Sequence, residues 1–330
     1  MSTITQEIAV GVILNNGRDK VLVSKRLLTS HQGGLWEFPG GKINHGESVF
    51  SALKRELREE LDILVEKAHP LICIDYDYPD IKVRLNVWII DNWEGTPFAK
   101  ESQLLEWTPL PELKQKTFLP ANYPILKAVQ LPSLYLITPD YGNYDNVFLD
   151  RTMELLKCGV KILQFRSKKA EKTNAEKTAL ALVDICNKFD CKLILNGRPE
   201  QAIKVGAHGI HMNSKNLLAC NERPLPADQW LGASCHNEFE INQAIRIGAD
   251  FCVLSPVQKS FTYKNTNVLG WHGFKLLAQK SNIPVFALGG IQPRDMTVAK
   301  ENSAHGIAMI SGIWDAPDPQ KAVRECLDRY

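Results

Sequence analysis

The spacing of apolar positions along the chain changes near residue 132. Before it the pattern is mixed. Ile8–Leu14 and Lys20–Arg26 read as two strands joined through Asn15–Asp19, a segment containing Asn-Gly that predicts a hairpin turn. A Gly- and Pro-rich stretch, Gly33–Gly41, follows. Over Ser48–Leu61, the residues Val49, Ala52, Leu53, Leu57 and Leu61 fall on one helical face. Further strands are expected around Leu71–Asp77 and Lys82–Asp91, and Pro124–Leu131 reads as a closing helix. Strands and one main helix in this order predict a small α+β unit over residues 1–131.

After Leu131-Pro132-Ser133 the texture becomes regular. Short apolar runs alternate with amphipathic helices at Leu134–Thr138, Val160–Arg166, Lys192–Asn196, Gly209–Met212, Trp230–Ser234, Phe251–Ser255, Pro284–Leu288 and Gly306–Ser311. Eight such units over residues 132–330 predict a (β/α)8 TIM barrel near the lower size limit. Continuous apolar runs are what strands buried on both faces show. An open doubly wound sheet is the alternative.

Composition narrows the partners. Lys and Arg number 39 against 37 Asp and Glu, a net charge of +2. Such a balance predicts no duplex nucleic-acid and no membrane partner. No apolar run approaches the ~20 residues that span a bilayer, and Met1–Glu7 lacks the pattern of a secretory signal. Eight cysteines with no CxxC pair read as reduced thiols of a cytoplasmic protein.

Candidate chemistry concentrates at Glu56, Glu59 and Glu60, spaced to project from one helix face. Like charges at that spacing repel, and a hard divalent cation would relieve them. On spacing alone, a solvated acidic face paired with Lys54, Arg55 and Arg58 is equally open. The flanking residues decide. Gly41, Glu47, Arg55, Glu56, Leu57, Glu59, Glu60 and Ile63 keep the pattern of the Nudix box, with Asp62 where that family has glycine. That glycine ends the helix in a left-handed conformation, which Asp tolerates better than most residues.

Gly34-Leu-Trp-Glu-Phe-Pro-Gly-Gly41, Trp93-Glu-Gly-Thr-Pro, Ala99-Lys-Glu101 and Pro120-Ala-Asn122-Tyr-Pro extend the match, over roughly residues 4–131, and resemble the MutT branch, the 8-oxo-dGTP diphosphatases. The resemblance implies a Nudix fold, an α/β/α sandwich with a mixed sheet. It also implies hydrolysis of a nucleoside triphosphate to monophosphate and pyrophosphate, here for nucleotide-pool sanitation and mutation avoidance. It places Mg2+, with Mn2+ as the substitute, on Glu56, Glu59, Glu60, Glu101 and the carbonyl of Gly40. Asn122 occupies the place that reads the oxidised purine, its amide able to donate and accept; a helix N-cap is its other reading. Arg26, His31, Glu37 and Phe38 match substrate-contacting positions, core packing being the other reading for Phe38. Ile81 stands where the best-known member has arginine, which removes a supporting contact.

In the second half, Gln164-Phe-Arg166-Ser-Lys168, Leu195-Asn196-Gly197-Arg198, His208-Gly-Ile-His211, Gly232-Ala-Ser234-Cys-His236, Ser255-Pro256-Val257 and Ala287-Leu-Gly289-Gly290-Ile are similar to the thiamin-phosphate synthase/TenI family. Most of these motifs end a predicted strand, where barrel enzymes place their sites. The resemblance assigns phosphate binding to Arg166, Lys168, Asn196, Gly289, Gly290 and Ser311. The synthase holds Mg2+ with two aspartates, and this chain has Gly197 and Asn216 in those places. Neither supplies a charged oxygen, so synthase activity is not carried over. TenI-like proteins also lack those aspartates, and His236 fits the place of the histidine in their thiazole tautomerase. A satisfied loop histidine is the plainer reading of His236. The expectation is thus an 8-oxo-dGTP diphosphatase fused to a TenI-like barrel taking a thiazole or thiamin phosphate. The alternatives are a Nudix domain acting on thiamin-pathway pyrophosphates and a barrel that serves as tautomerase, synthase or regulatory phosphate binder.

Overall fold

The computed structural model describes residues 5–30, 32–259 and 267–328. They form two compact units that divide between Leu131 and Pro132.

The first unit carries β1 (Thr5–Ile13), β2 (Lys20–Lys25), β3 (Trp36–Glu37), β4 (Gly40–Lys42), α1 (Val49–Leu61), β5 (Leu64–Asp77), β6 (Lys82–Glu94), β7 (Leu104–Pro109) and α2 (Tyr123–Gln130). A mixed four-stranded sheet has the order β4-β1-β6-β5, with β1 parallel to β6 and antiparallel to β4. β1 is apolar on both faces because both are covered. Ala9 and Ile13 join Leu53, Leu57 and Leu61 of α1 in one core, while Val10 and Val12 join Ile125, Leu126 and Ala128 of α2 in another. Helices therefore sandwich the sheet. Strand and helix approach closely at Gly11, where a Cβ would lie 2.9 Å from the Leu57 side chain.

The expected hairpin of β1 and β2 is corrected. A single bridge, Leu14 to Val21, links them; β2 pairs with β3 and β7 in a separate three-stranded sheet. The turn itself forms. The Asn15 amide donates to the Lys20 carbonyl at 3.0 Å, Asn15 Oδ1 accepts from the Asp19 and Lys20 amides, and Asn15 Nδ2 donates to Asp19 Oδ1. β5 begins at Leu64, seven residues ahead of the expected start. Its first half contains Pro70 and three register irregularities against β6, which an edge strand tolerates. β7 was not expected; Leu104 is exposed and Leu105 and Trp107 are only partly buried.

The second unit contains β8 (Leu134–Ile137), α3 (Asn146–Lys157), β9 (Ile162–Phe165), α4 (Lys172–Lys188), β10 (Lys192–Leu195), α5 (Pro199–Val205), β11 (Gly209–Met212), α6 (Ser214–Leu218), β12 (Trp230–Cys235), α7 (Glu238–Arg246), β13 (Phe251–Leu254), α8 (Gly270–Ala278), β14 (Val285–Ala287), α9 (Met296–Glu301), β15 (Gly306–Met309), α10 (Ser311–Trp314) and α11 (Pro319–Asp328). All eight strands pair in parallel and close on themselves, which excludes the open sheet. β8, β9, β11, β13 and β15 are buried at every position. The barrel interior is filled by Tyr135, set edge-on to Phe251 at 5.3 Å, with Phe286 at 5.6 Å. No helix among the described residues is long and apolar enough to cross a membrane.

Candidate active site

Ser48 starts α1 by accepting the Ser51 amide, and Asp62 ends it at φ 58°, the left-handed turn expected there. Between these caps the polar face carries Arg55, Glu56, Glu59 and Glu60. Arg55 organises it. Its Nε and Nη2 grip both oxygens of Glu47 at 3.0 and 2.8 Å, Nη2 also donates to the Lys42 carbonyl, and Nη1 meets Glu56 at 2.6 Å and Glu59 at 3.5 Å. These bonds raise the guanidinium pKa above its usual value, Glu47 contributing most. In return the Arg55 bond, then the Asn44 amide, lower that of Glu47.

Glu60 turns the other way. Its Oε2 accepts the Gly40 amide at 3.2 Å. Burial pushes its pKa up to about 8 against that hydrogen bond, and the charges of Glu37, Glu101 and Glu56 push the same way. Glu37 is itself raised by burial, opposed by its 2.7 Å pair with Arg26. The glycines make room. A Cβ on Gly40 would overlap the Ala9 carbonyl, and one on Gly41 would overlap the Glu56 carboxylate.

Among the described residues, no group of three or more His, Cys, Asp or Glu is already gathered to hold a metal ion. Arg55 and the Gly40 amide tether the helix carboxylates separately, and Glu59 is 58% exposed. The donor set nonetheless fits a hard divalent cation. It consists of carboxylate oxygens, and the charges of Glu37, Glu101 and Glu56 all bear on Glu60. Glu101 lies on the loop before β7, which the Phe98 and Lys100 amides fasten to the Leu61 and Glu60 carbonyls at the end of α1.

Asn122 is buried, and its side chain makes no cap bond to α2. Its Oδ1 accepts the Phe38 amide at 3.1 Å instead. That orients the carboxamide and leaves Nδ2 outside this bond. Phe38 is 3% exposed and stacks on Phe118 at 5.8 Å, so its ring belongs to the core. His31 lies outside the described residues. Arg55 and Glu47, which entered the sequence reading only as matches or counter-charges, carry most of the local geometry.

The barrel has its own cavity, about 520 Å³ in volume, at the C-terminal ends of its strands. Arg166, Lys168, Asn196, His236, Gly289, Gly290 and Ser311 all line it, together with Asp140 and Asp315, which sequence reasoning missed. Gly197 and Asn216 are not among the lining residues. Arg166 pairs with Asp140 at 3.5 Å. Gly289 and Gly290 take φ of 100° and 69°, and a Cβ on either would meet the backbone of the Pro256–Lys259 segment.

Along the cavity floor runs a chain of polar groups from five strands or their ends. Asn196 Nδ2 donates to Gln164 Oε1 at 3.3 Å, and Gln164 Nε2 donates to the Tyr135 hydroxyl at 2.9 Å. That hydroxyl lies 3.3 Å from His211 Nδ1, and His211 Nε2 lies 2.9 Å from Ser234 Oγ. Burial lowers the His211 pKa to about 3, so the ring is neutral at pH 7. At the rim, Glu240 Oε2 accepts the His236 amide at 2.7 Å and faces His236 Nδ1 at 2.9 Å. This pair aims the ring's other nitrogen away from Glu240.

Two family models match the chain: thiamine monophosphate synthase over residues 134–313 and the NUDIX domain over residues 5–129. The chain is 31% identical over 189 residues to a thiamine-phosphate synthase of Prochlorococcus marinus subsp. pastoris, covering 57% of this chain and 53% of that protein, so it spans about half that relative's length. It is 38% identical over 120 residues to the 8-oxo-dGTP diphosphatase of Escherichia coli K12, covering 36% of this chain and 92% of the relative. A solved thiamine phosphate pyrophosphorylase from Pyrococcus furiosus superposes with a TM-score of 0.51 at 23% identity, over 60% of this chain and 94% of that one. This last likeness shows the fold alone. Through its barrel the chain belongs to the thiamine monophosphate synthase family, and it carries a Nudix domain ahead of that barrel.

Proposed function

We propose that the Nudix domain, a pyrophosphohydrolase by family, acts on 8-oxo-dGTP and releases 8-oxo-dGMP and pyrophosphate. The observation that carries the substrate reading is the Asn122 side chain, buried and held by the Phe38 amide. A carboxamide fixed this way presents Nδ2 as a donor to the purine O6 and keeps a second lone pair on Oδ1 for the N7–H that only the oxidised base carries. Freezing the rotamer before the base arrives lowers the entropy cost of recognition.

Glu56, Glu59, Glu60, Glu101 and the Gly40 carbonyl are the groups that would hold Mg2+, or Mn2+ in its place. Bound there, the ion supplies charge neutralisation on the phosphates and a lowered pKa for the attacking water. The protein does the rest. Arg55 keeps Glu47 and Glu56 in register through three hydrogen bonds and is anchored by a fourth to the Lys42 carbonyl. The Gly40 amide holds Glu60. Arg26, braced by Glu37, stands as a sugar or phosphate contact, as does His31.

For the barrel we infer a TenI-like phosphate site in which His236, braced by Glu240, moves a proton on a thiazole phosphate. Its support is the Glu240 contact and the neutral, hydrogen-bonded cavity floor. A cytoplasmic setting suits the eight free cysteines. A pyrophosphate-release screen of the whole protein against 8-oxo-dGTP, dGTP and thiamin-pathway diphosphates tests the first reading. We expect 8-oxo-dGTP to be turned over fastest, and preference for a thiamin diphosphate would reverse the assignment. Thermal denaturation with thiazole phosphate or thiamin phosphate tests the second, because a bound ligand raises stability by mass action.

A further inference from the structure

Glu101 sits on an exposed loop, yet a working carboxylate must be held in place. The main-chain bonds from Phe98 and Lys100 fix the loop only up to the residue before it. Beyond it, Ser102 takes φ 63°, a left-handed turn that folds the chain back on itself. The side chain that then returns is Gln103. Its Oε1 accepts the Glu101 amide at 3.0 Å, and its Nε2 donates to the Glu60 carbonyl at 3.2 Å.

We propose that Gln103 is a positioning residue whose carboxamide sets the Glu101 carboxylate against Glu60. One planar group spans the two acidic residues through their main chains, one on the loop and one in the last turn of α1. The Glu60 carbonyl is among the last of α1, which lack helical partners. It accepts from the Lys100 amide as well as from Gln103, so the loop and the helix end share one acceptor. The clamp needs a donor and an acceptor on the same side chain. Glutamate would keep the acceptor and lose the donor, and methionine would keep the length and lose both. Gln103 is partly buried and touches the main chain of Glu101, so it acts on the reaction only through that residue.

The inference rests on the proposed diphosphatase reading, and the test separates the two. Pyrophosphate release at saturating Mg2+ is measured on the whole protein for Gln103→Met, Gln103→Glu, Glu101→Gln and the double variant Glu101→Gln with Gln103→Met. Misplacing a reacting group by less than an ångström costs about tenfold or more. Both Gln103 variants are therefore expected to lower kcat about tenfold with KM within about twofold. The double variant is expected to be no slower than Glu101→Gln alone, because a clamp has nothing left to position once its carboxylate is gone. Without metal, amide hydrogen exchange over the 98–104 segment is expected to quicken in Gln103→Met with little change in Tm.

Parent-like turnover of both Gln103 variants overturns the proposal. So do losses that multiply in the double variant, or unchanged exchange. If Glu101→Gln is fully active while Glu59→Gln is dead, the clamp has no function and the diphosphatase reading stands. If Glu59→Gln is fully active, the metal reading itself fails.

Discussion

The two candidate sites arrange charge in different ways. The Nudix face concentrates carboxylates on one side of a single helix and steadies them with one arginine and one backbone amide. The barrel cavity sets Arg166 and Lys168 with Asp140 and Asp315 above a floor of neutral groups, where His211 is kept uncharged. The first is a set of carboxylate oxygens that fits a hard divalent cation. The floor of the second is satisfied internally, each member bonded to the next. The metal reading therefore rests on the helix carboxylates, and Gly197 and Asn216 lie outside the cavity lining.

The sharpest way to break the comparison is to remove one charge from the helix. Glu59→Gln is expected to cut pyrophosphate release at least about a hundredfold, because a lost ligand weakens the ion that does the electrostatic work. Chelation of the divalent ion is expected to do the same. Circular dichroism checks that the fold survives, as expected for an exposed Glu59 whose pair with Arg55 spans 3.5 Å. Near-normal turnover would mean that the carboxylates are only a solvated face.

Next in size is specificity. Asn122→Ala removes a buried side chain and leaves the Phe38 amide without its acceptor. The ratio of kcat/KM for 8-oxo-dGTP over dGTP is expected to fall about tenfold, the worth of one or two hydrogen bonds to a base edge. An unchanged ratio would return Asn122 to a packing role.

How much of this was legible in the sequence follows from distance along the chain. Helix α1 was readable because its cap, its apolar face and its charges all lie within Ser48–Asp62. The barrel strands were readable because burial on both faces leaves continuous apolar runs. The Phe38–Asn122 bond spans 84 positions, and no local pattern announces it. The Tyr135, Gln164 and His211 chain joins side chains from three strands, each unremarkable where it stands in the sequence. β1 and β2 look like a hairpin, since Asn-Gly is a turn signal, and the turn forms, but past the Leu14–Val21 bridge the two strands pair in different sheets. Gln103 reads as a polar residue in a loop until the fold lays it across the end of α1.

Acidity separates the halves more gently. His211 is neutral in the folded barrel down to about pH 3, whereas in the unfolded chain it takes a proton near 6.5. A histidine whose folded pKa is depressed binds fewer protons folded than unfolded between those values. Stability therefore falls as pH drops from about 6.5 toward 3, with a slope approaching about 1.4 kcal/mol per pH unit. His211→Gln is expected to remove that slope from denaturant titrations of the protein. The slope will persist if the ring is protonated in the native state.

The smallest expected effect is the most informative about the fusion. His236 lines the barrel cavity and pairs with Glu240, entirely within the second unit. Replacing it with alanine removes the proposed proton carrier of the barrel and leaves every group on the α1 face in place. Triphosphate hydrolysis by His236→Ala is accordingly expected to match the parent in kcat and KM, while any thiazole-phosphate chemistry disappears. Coupling between sites is a free energy, and it is reciprocal for binding. If hydrolysis instead falls in His236→Ala, the barrel site influences the Nudix site, and measuring nucleotide binding with and without thiazole phosphate tests whether a ligand of the barrel does the same.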